Sequence, residues 1–291
     1  MSSTFFTASP EWRWLIILYF FIGGLAGGCY FLAVLLDLFG RPTDRRLARL
    51  GYLVAFPGVA VCGLLLTLDL TRPERFWHML IQSGTWRPML KVYSPMSAGA
   101  WCLLLFGGFS LLSFVAALDE RGRFAALRPP SPLGVLIGVL GGIFGAFLAG
   151  YTGVLLSVTN RPIWADTHLL GLVFLVSAAS TSAALLVLLG AGSGSPGGLR
   201  ALSRFDSWVL VLELVALIGL VISLGSVATV WLSAWGALLF VGVVLVGILA
   251  PLALYWRGRG VPAGSHALTS ILVLIGGFLL RVVVVLSSDG A

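Results

Sequence analysis

The chain has 291 residues and a net charge of +7, and it is 59% hydrophobic but only 10% charged. Soluble domains carry about 25% charged residues, so the composition excludes an ordinary soluble protein. Apolar runs longer than about 18 residues indicate membrane spans, which are helical because lipid offers backbone groups no other partners. The basic residues lie between these runs, where topology and lipid headgroups explain them better than nucleic acid does.

Eight apolar runs predict an all-α integral membrane protein with eight transmembrane helices in one domain, residues 1–291. In chain order the predicted spans are 14–39, 47–70, 97–118, 133–157, 167–190, 205–225, 232–256 and 266–287. Ser94-Pro95 and Ser131-Pro132 place a capping hydroxyl before a proline at the third and fourth starts. The Gly/Ser stretch 191–198 is interpreted as a flexible connector.

Two motifs concern how the spans pack. The stretch GGLAGG, residues 23–28, favours close helix packing, and a nucleotide-binding loop is excluded because no strand precedes it. Pro57, near the middle of span two, predicts a kink in that helix.

Basic residues predict the orientation. The connections after spans one, three, five and seven hold 11 of them, on what we call the arginine-rich face, and the opposite side holds six. The positive-inside rule therefore places the arginine-rich face inside and both termini outside. The exception is the connection after span two, which holds Arg72, Arg75, Arg87 and Lys91 on the outer side. Such an exception favours another purpose for that loop, such as docking a partner.

Among the ionisable residues of the predicted spans, three are singled out, because such groups inside a membrane tend to be functional. Glu213, about two turns into span six, is either a hydrogen-bonded structural carboxyl or part of a proton path. Arg281, in the outer third of span eight, needs an acceptor because arginine does not readily lose its proton. Asp69 ends span two at a similar depth, which motivates the hypothesis of an Asp69–Arg281 ion pair. Alternatively, Arg281 reaches the outer headgroups.

Polar and aromatic side chains concentrate at the outer ends of the spans. They are Asp69 to Trp77, Tyr151, Thr152, Asn160, Arg161, Trp164, Asp166 and His168. A quinone needs this mixture, because its carbonyls require hydrogen-bond partners and a proton acceptor beside an apolar slot. The alternatives are an interfacial aromatic belt for Trp77, Trp86 and Trp164, and a helix-end polar residue for His168.

The histidines disfavour haem. A bis-histidine haem requires two facing histidines, whereas His78 lies in a loop, and His168 and His266 begin helices on opposite sides. The three cysteines form no CxxC motif. We therefore expect no haem or metal in this chain, so that electrons come from or leave to a bound molecule.

Five stretches, together with Glu213, carry a further signal. They are YFFIGGLAGGCYFL (19–32), LDLTRPERFW (68–77), SPMSAGAW (94–101), YTGVLLSVTNRPIW (151–164) and LIGGFLLR (274–281). Together they resemble the NrfD/PsrC family, the membrane subunits of polysulfide-reductase-type complexes. The resemblance covers nearly the whole chain.

The resemblance implies two four-helix bundles with both termini outside, and a site for quinone or quinol, either menaquinone or ubiquinone, near the outer face. It also implies a ferredoxin-like iron–sulfur subunit and a molybdopterin-type catalytic subunit. These partners are expected on the outer, periplasmic side of a bacterial or archaeal cytoplasmic membrane. The chain is also expected to contact the lipid bilayer and to bind no nucleic acid.

The resemblance makes Tyr151 the main candidate for a quinone contact, followed by Asp69, Arg72 and His168. Some family members place a histidine on span one near the quinone, but this span has none, which makes Tyr19 a candidate there. The outer charges are expected to form the lip of the pocket and part of a docking surface. That predicted docking surface consists of Arg72, Glu74, Arg75, Trp77 and Arg161.

The leading hypothesis is a quinone-reactive subunit of a multi-subunit oxidoreductase, with no catalytic metal of its own. Glu213 would extend a proton path toward the inner side. Two other classes stay open: a secondary transporter, because ionisable residues and kinked helices suit one, and a passive membrane anchor without a quinone site.

Overall fold

The computed structural model describes residues 12–70, 72–91, 93–119, 121–192, 195–257 and 263–290, apart from the side chains of 263–266, 289 and 290. Within these residues, eight helices are long and apolar enough to cross a membrane. They are α1 Trp14–Phe39, α2 Arg45–Asp69, α3 Pro95–Leu118, α4 Pro132–Ser157, α5 Leu170–Gly190, α6 Pro196–Leu224, α7 Ala234–Arg257 and α8 Ala263–Leu286. The prediction of an all-α, multi-pass membrane protein is confirmed.

The predicted caps of α3 and α4 are present. The Ser94 hydroxyl accepts a hydrogen bond from the backbone N–H of Ser97, and the Ser131 hydroxyl accepts one from Gly134. Each serine satisfies a backbone donor that the first helical turn cannot pair internally.

The sixth helix begins earlier than predicted. The Ser195 hydroxyl accepts a hydrogen bond from the backbone N–H of Gly198 at 3.0 Å, and Pro196 occupies the first helical position. The interpretation of 191–198 as a connector is therefore wrong from residue 195 onward. The same Ser-Pro signal that begins α3 and α4 begins α6, and its cap outweighs the two glycines in the first turn.

The centre of α7 departs from α-helical geometry. A π-helix spans Leu238–Leu249, between α-helical turns at Ala234–Ala237 and Ala250–Arg257. Hydrogen bonds from residue i to i+5 widen the helix locally. Gly247, within this segment, lies so close to Gly276 of α8 that a side chain at either position would overlap the other backbone.

Helix α1 packs against α2, α4 and α5, and its glycines permit this approach. A Cβ on Gly27 would overlap the backbone of Gly145 in α4, and a Cβ on Gly28 would overlap Ser182 in α5. The packing interpretation of GGLAGG is therefore confirmed at these two positions. Pro57 lies inside α2, as predicted.

Contacts between neighbouring helices run around α1–α4 and again around α5–α8, and α5 joins the two sets through α1 and α4. Alternating spans place the cavity described below at the face opposite the arginine-rich face. The grouping into two bundles and the outside location of both termini stay predictions.

Candidate functional site

A cavity of about 640 Å³ lies among α1–α4 and the connection that follows α2. Aliphatic and aromatic side chains form most of its wall, including Ile16, Phe56 and Leu103. Of the polar side chains in the wall, Thr67 already donates a hydrogen bond to the carbonyl oxygen of Gly63 at 2.7 Å. The remaining polar side chains of the wall are two tyrosines, a carboxylate and Trp12, whose ring carries an indole N–H.

The two tyrosines are Tyr19 of α1 and Tyr151 of α4, which are only 2% and 6% exposed. Their phenol groups are close enough to interact electrostatically. Neither hydroxyl has a hydrogen-bond partner among the described residues. Both tyrosines line the cavity, so their hydroxyls are available to hydrogen-bond to a polar ligand or to water there.

The position of Tyr151 depends on a glycine of the facing helix. The ring occupies the space that a Cβ on Gly99 of α3 would take, and it stacks on Phe147 at a centroid distance of 5.8 Å. Gly99 is the glycine of SPMSAGAW. A small residue at that point lets the phenol lie between α3 and α4 and reach the cavity.

Asp69 is the last residue of α2 and lies at the mouth of the cavity. It is exposed, and no described residue hydrogen-bonds to its carboxylate. A 3₁₀-helix, Pro73–Met79, continues the mouth and contributes Phe76 and Met79 to its lining. A carboxylate at this place can exchange a proton with water outside the membrane.

The charged residues of the 3₁₀-helix and its start face away from the cavity. Arg72, Glu74 and Arg75 are exposed and do not line it. Trp77 stacks on His78 and Trp86, with centroid distances of 3.9 and 5.7 Å. From the segment LDLTRPERFW, Asp69, Leu70 and Phe76 line the cavity, whereas Arg72, Glu74 and Arg75 face solvent.

Three of the five predicted quinone contacts come together, and two do not. Tyr19, Asp69 and Tyr151 line the same cavity, whereas Arg72 and His168 are exposed and lie outside its lining. His168 precedes α5, which begins at Leu170, and the cavity is bounded by helices α1–α4.

The connection between α4 and α5 is held by Trp164, which the sequence places in an aromatic belt. That interpretation is wrong, because Trp164 is fully buried, donates its indole N–H to the carbonyl oxygen of Val284 at 2.8 Å, and stacks on Trp12. The guanidinium of Arg161 lies over the Trp164 ring at 5.4 Å. Arg161 therefore packs on the chain itself, and its role in docking stays a prediction.

Arg281 lies in a buried polar cluster among α5, α6 and α8. It is 1% exposed and donates hydrogen bonds to the Ser177 hydroxyl at 2.6 Å and to the Gly277 carbonyl oxygen at 2.7 Å. The carboxylate that interacts with its charge, and with Ser177, is Glu213. Arg281 thus neither reaches the headgroups nor contacts Asp69, whose cavity lies among α1–α4; its hydrogen bonds go to α5 and α8, and Glu213 interacts with its charge without forming a direct ion pair.

Glu213 lies farther along its helix than the predicted start of span six implied. Because α6 begins at Pro196, Glu213 is about 25 Å along the helix from its start, or nearly five turns rather than two.

A second buried carboxylate, Asp206, was missed by sequence reasoning. It is fully buried and accepts hydrogen bonds from the hydroxyls of Ser180 at 2.6 Å and Tyr255 at 2.7 Å. It precedes Glu213 by seven residues, about two turns on the same face of α6. That spacing is a signal in the sequence that points to Asp206. The predicted span six starts at residue 205, however, which places Asp206 at its very end, at the headgroup level.

Known proteins of one family match this chain over nearly its whole length. A family model described as "Polysulphide reductase, NrfD" matches residues 3–289. The chain is 29% identical to one chain of the polysulfide reductase of Wolinella succinogenes, over 93% of this chain and 92% of that one. It is 28% identical to the protein NrfD of Escherichia coli over 96% and 95%. A shorter match, 30% identical over 28% of this chain and 19% of the relative, is to one subunit of the selenate reductase of Mesobacillus selenatarsenatis. The chain therefore belongs to the NrfD polysulphide reductase family.

Proposed function

We propose that the chain is the membrane subunit of a quinone-linked oxidoreductase and that the cavity among α1–α4 binds quinone or quinol. The observation that carries this proposal is the pair of unpaired hydroxyls, Tyr19 and Tyr151, with the Asp69 carboxylate, in an otherwise apolar wall. Two donors suit two carbonyl oxygens, and the volume is within the roughly 300–1,000 Å³ of small-molecule sites.

Each residue of the cavity has a role in this proposal. When bound, the quinone supplies chemistry of two electrons and two protons. The hydroxyls of Tyr19 and Tyr151 donate hydrogen bonds that orient the headgroup, and a carboxylate oxygen of Asp69 accepts or returns a proton at the mouth. Gly107 and Gly108 of α3 line the cavity with open space beside them, which leaves room for an apolar tail between α2 and α3.

The mouth of the cavity is the proposed place for electron exchange with a partner. Arg72, Glu74 and Arg75 present charge beside it, and Trp77 adds an aromatic surface. Two relatives are named as single components of reductases with several components, which supports a multi-subunit complex. We propose that a ferredoxin-like iron–sulfur subunit docks here, with a molybdopterin-type catalytic subunit beyond it on the periplasmic side.

Binding of a quinone analogue to the purified complex tests the site. Tyr151→Phe removes one hydrogen bond, worth about 0.5–1.5 kcal/mol, so the analogue should bind about 2- to 10-fold more weakly. Tyr93→Phe is the matched control, because Tyr93 is 84% exposed and lies outside the cavity lining. Equal affinity in both variants would remove Tyr151 from the site, and absence of analogue binding to the wild-type complex would support the passive anchor. Purification without iron–sulfur partners would support the transporter.

The buried cluster on α6 supports a second proposal, that protons cross the membrane through Asp206 and Glu213. Two carboxylates two turns apart, linked to serine and tyrosine hydroxyls, can hold and pass a proton toward the arginine-rich face. Glu213→Gln should abolish proton uptake into vesicles during quinol turnover while leaving electron transfer in place. Unchanged proton uptake would remove Glu213 from the path and leave it the structural partner of Arg281.

A further inference from the structure

A second groove lies on the arginine-rich face, between the end of α1 and the start of α6. Its volume is about 770 Å³, and its wall includes the turn that joins α1 to α2. Leu36, Phe205 and Trp208 contribute apolar surface, and Arg41 and Arg204 contribute charge. None of its lining residues lines the cavity among α1–α4, so the groove is a separate site.

The charge available to an occupant is positive. Arg41, Arg200 and Arg204 are exposed, and none forms an ion pair with a carboxylate in the part of the chain that the structure describes. The one carboxylate of the groove, Asp44, is buried and accepts hydrogen bonds from the backbone N–H of Arg41 and the hydroxyl of Ser195. The groove therefore complements an anion.

The arginines converge although they come from two elements. Arg41 follows α1, and its guanidinium extends over α6, with Nη1 3.7 Å from the place of a Cβ on Gly197. Arg200 lies one turn into α6 and donates its Nε–H to the carbonyl oxygen of Pro196 at 3.0 Å, which leaves its terminal N–H groups available. Arg204 lies one turn further along the same helix.

The depth order of the lining matches a phospholipid. Arg41 directly follows the end of α1, and Arg200 and Arg204 lie in the first three turns of α6, the part of the groove expected nearest the headgroup phosphates. Phe205 and Trp208 follow on α6 at the level where aromatic residues meet the interface, and Leu36 and Leu32 lie deeper along α1. Phe39 and Trp208 are 81% and 71% exposed, so the groove offers apolar surface for a tail as well as charge for a head.

We infer that this groove binds one anionic phospholipid, with its phosphate between Arg41, Arg200 and Arg204 and an acyl tail along the leucines of α1. Guanidinium groups bind phosphate oxygens through paired, charge-assisted hydrogen bonds. An amphipathic segment of a partner subunit would need acidic residues for the same arginines, whereas the surrounding membrane supplies anionic lipid directly.

Native mass spectrometry of the detergent-purified complex, titrated with phosphatidylglycerol or phosphatidylcholine, tests the inference. The wild type should bind one phosphatidylglycerol with clear preference over phosphatidylcholine. Arg41→Gln/Arg204→Gln should weaken that binding about 25-fold, because each arginine near a membrane surface contributes about fivefold. Arg121→Gln/Arg123→Gln is the matched control, since both arginines are exposed outside the groove in the α3–α4 connection.

Each outcome is decisive. Equal loss in the two double variants, or equal binding of the two lipids, would overturn the inference. Loss of a co-purifying subunit from the groove variant, with lipid binding unchanged, would assign the groove to a partner protein instead. A shift produced equally by water-soluble glycerol phosphate would reduce the site to a phosphate site and overturn the lipid assignment.

Discussion

The Glu213–Arg281 pair yields the sharpest prediction about what holds the second set of helices together. Arg281→Met removes the hydrogen bonds to Ser177 and Gly277 and leaves the carboxylate of Glu213 buried without its cation. A buried hydrogen bond from a charged group contributes about 1.5–3 kcal/mol, so the loss of these two costs about 3–6 kcal/mol of unfolding free energy. We expect Arg281→Met to fall in that range.

A double-mutant cycle isolates the pair from the hydrogen bonds. Adding Glu213→Gln removes the carboxylate charge that Arg281→Met leaves without a cation. The unfolding free energy of the double variant should therefore exceed the value expected from adding the two single-variant losses, by about 1–3 kcal/mol. The unfolding free energy is measured by titration of detergent-solubilised protein with sodium dodecyl sulfate, followed by far-UV circular dichroism.

The matched control combines Arg281→Met with Asp69→Asn. Because the two residues belong to different sets of contacts, their effects should add to within about 0.5 kcal/mol. A coupling energy for Asp69 as large as that for Glu213, or a Glu213 coupling below about 0.5 kcal/mol, would refute the pairing.

Three further predictions concern the cavity and one connection. Gly99→Ala should displace the Tyr151 ring and weaken binding of a quinone analogue about tenfold, a loss of about 1.4 kcal/mol, whereas Gly108→Ala, with open space beside it, should not. Gly108→Leu should fill part of the cavity and weaken the same analogue, and unchanged binding would place the tail elsewhere. Backbone N–H bonds, first from Phe124, lower the pKa of Asp119, so protection of the Phe124 amide from hydrogen exchange should be complete above about pH 4. That protection should decline as the pH falls through the lowered pKa, and Asp119→Asn should abolish this pH dependence.

The membrane-spanning helices and their N-terminal caps are predictable from consecutive residues of the sequence. Apolar runs long enough to cross lipid form helices, and Ser94 and Ser131, each before a proline, cap the helices that begin there. At α6 the glycines of 191–198 favour a connector, whereas the Ser195 cap and Pro196 begin a helix. Asp69 and Tyr151 were identifiable as polar residues at one membrane face, whereas Tyr19 was a candidate only through the family resemblance.

The partners of these groups were beyond the reach of the sequence. The similar predicted depths of Asp69 and Arg281 favoured an ion pair between them. In the structure α8 packs against α5, and the Arg281 guanidinium lies toward Ser177 and Glu213. Trp164, typical of an interface by its position, is buried because the α4–α5 connection folds inward over Val284.

Hydropathy and capping are properties of consecutive residues, so the amino-acid order alone specified an eight-helix membrane protein and the face on which its polar residues gather. Which side chains meet depends on the rotation of each helix about its axis and on which helices are neighbours. Close approaches such as Gly27 to Gly145 and Gly99 to Tyr151 set both, and these contacts join residues far apart in the chain. The cavity and the Glu213–Arg281 pair therefore exist only in the assembled fold.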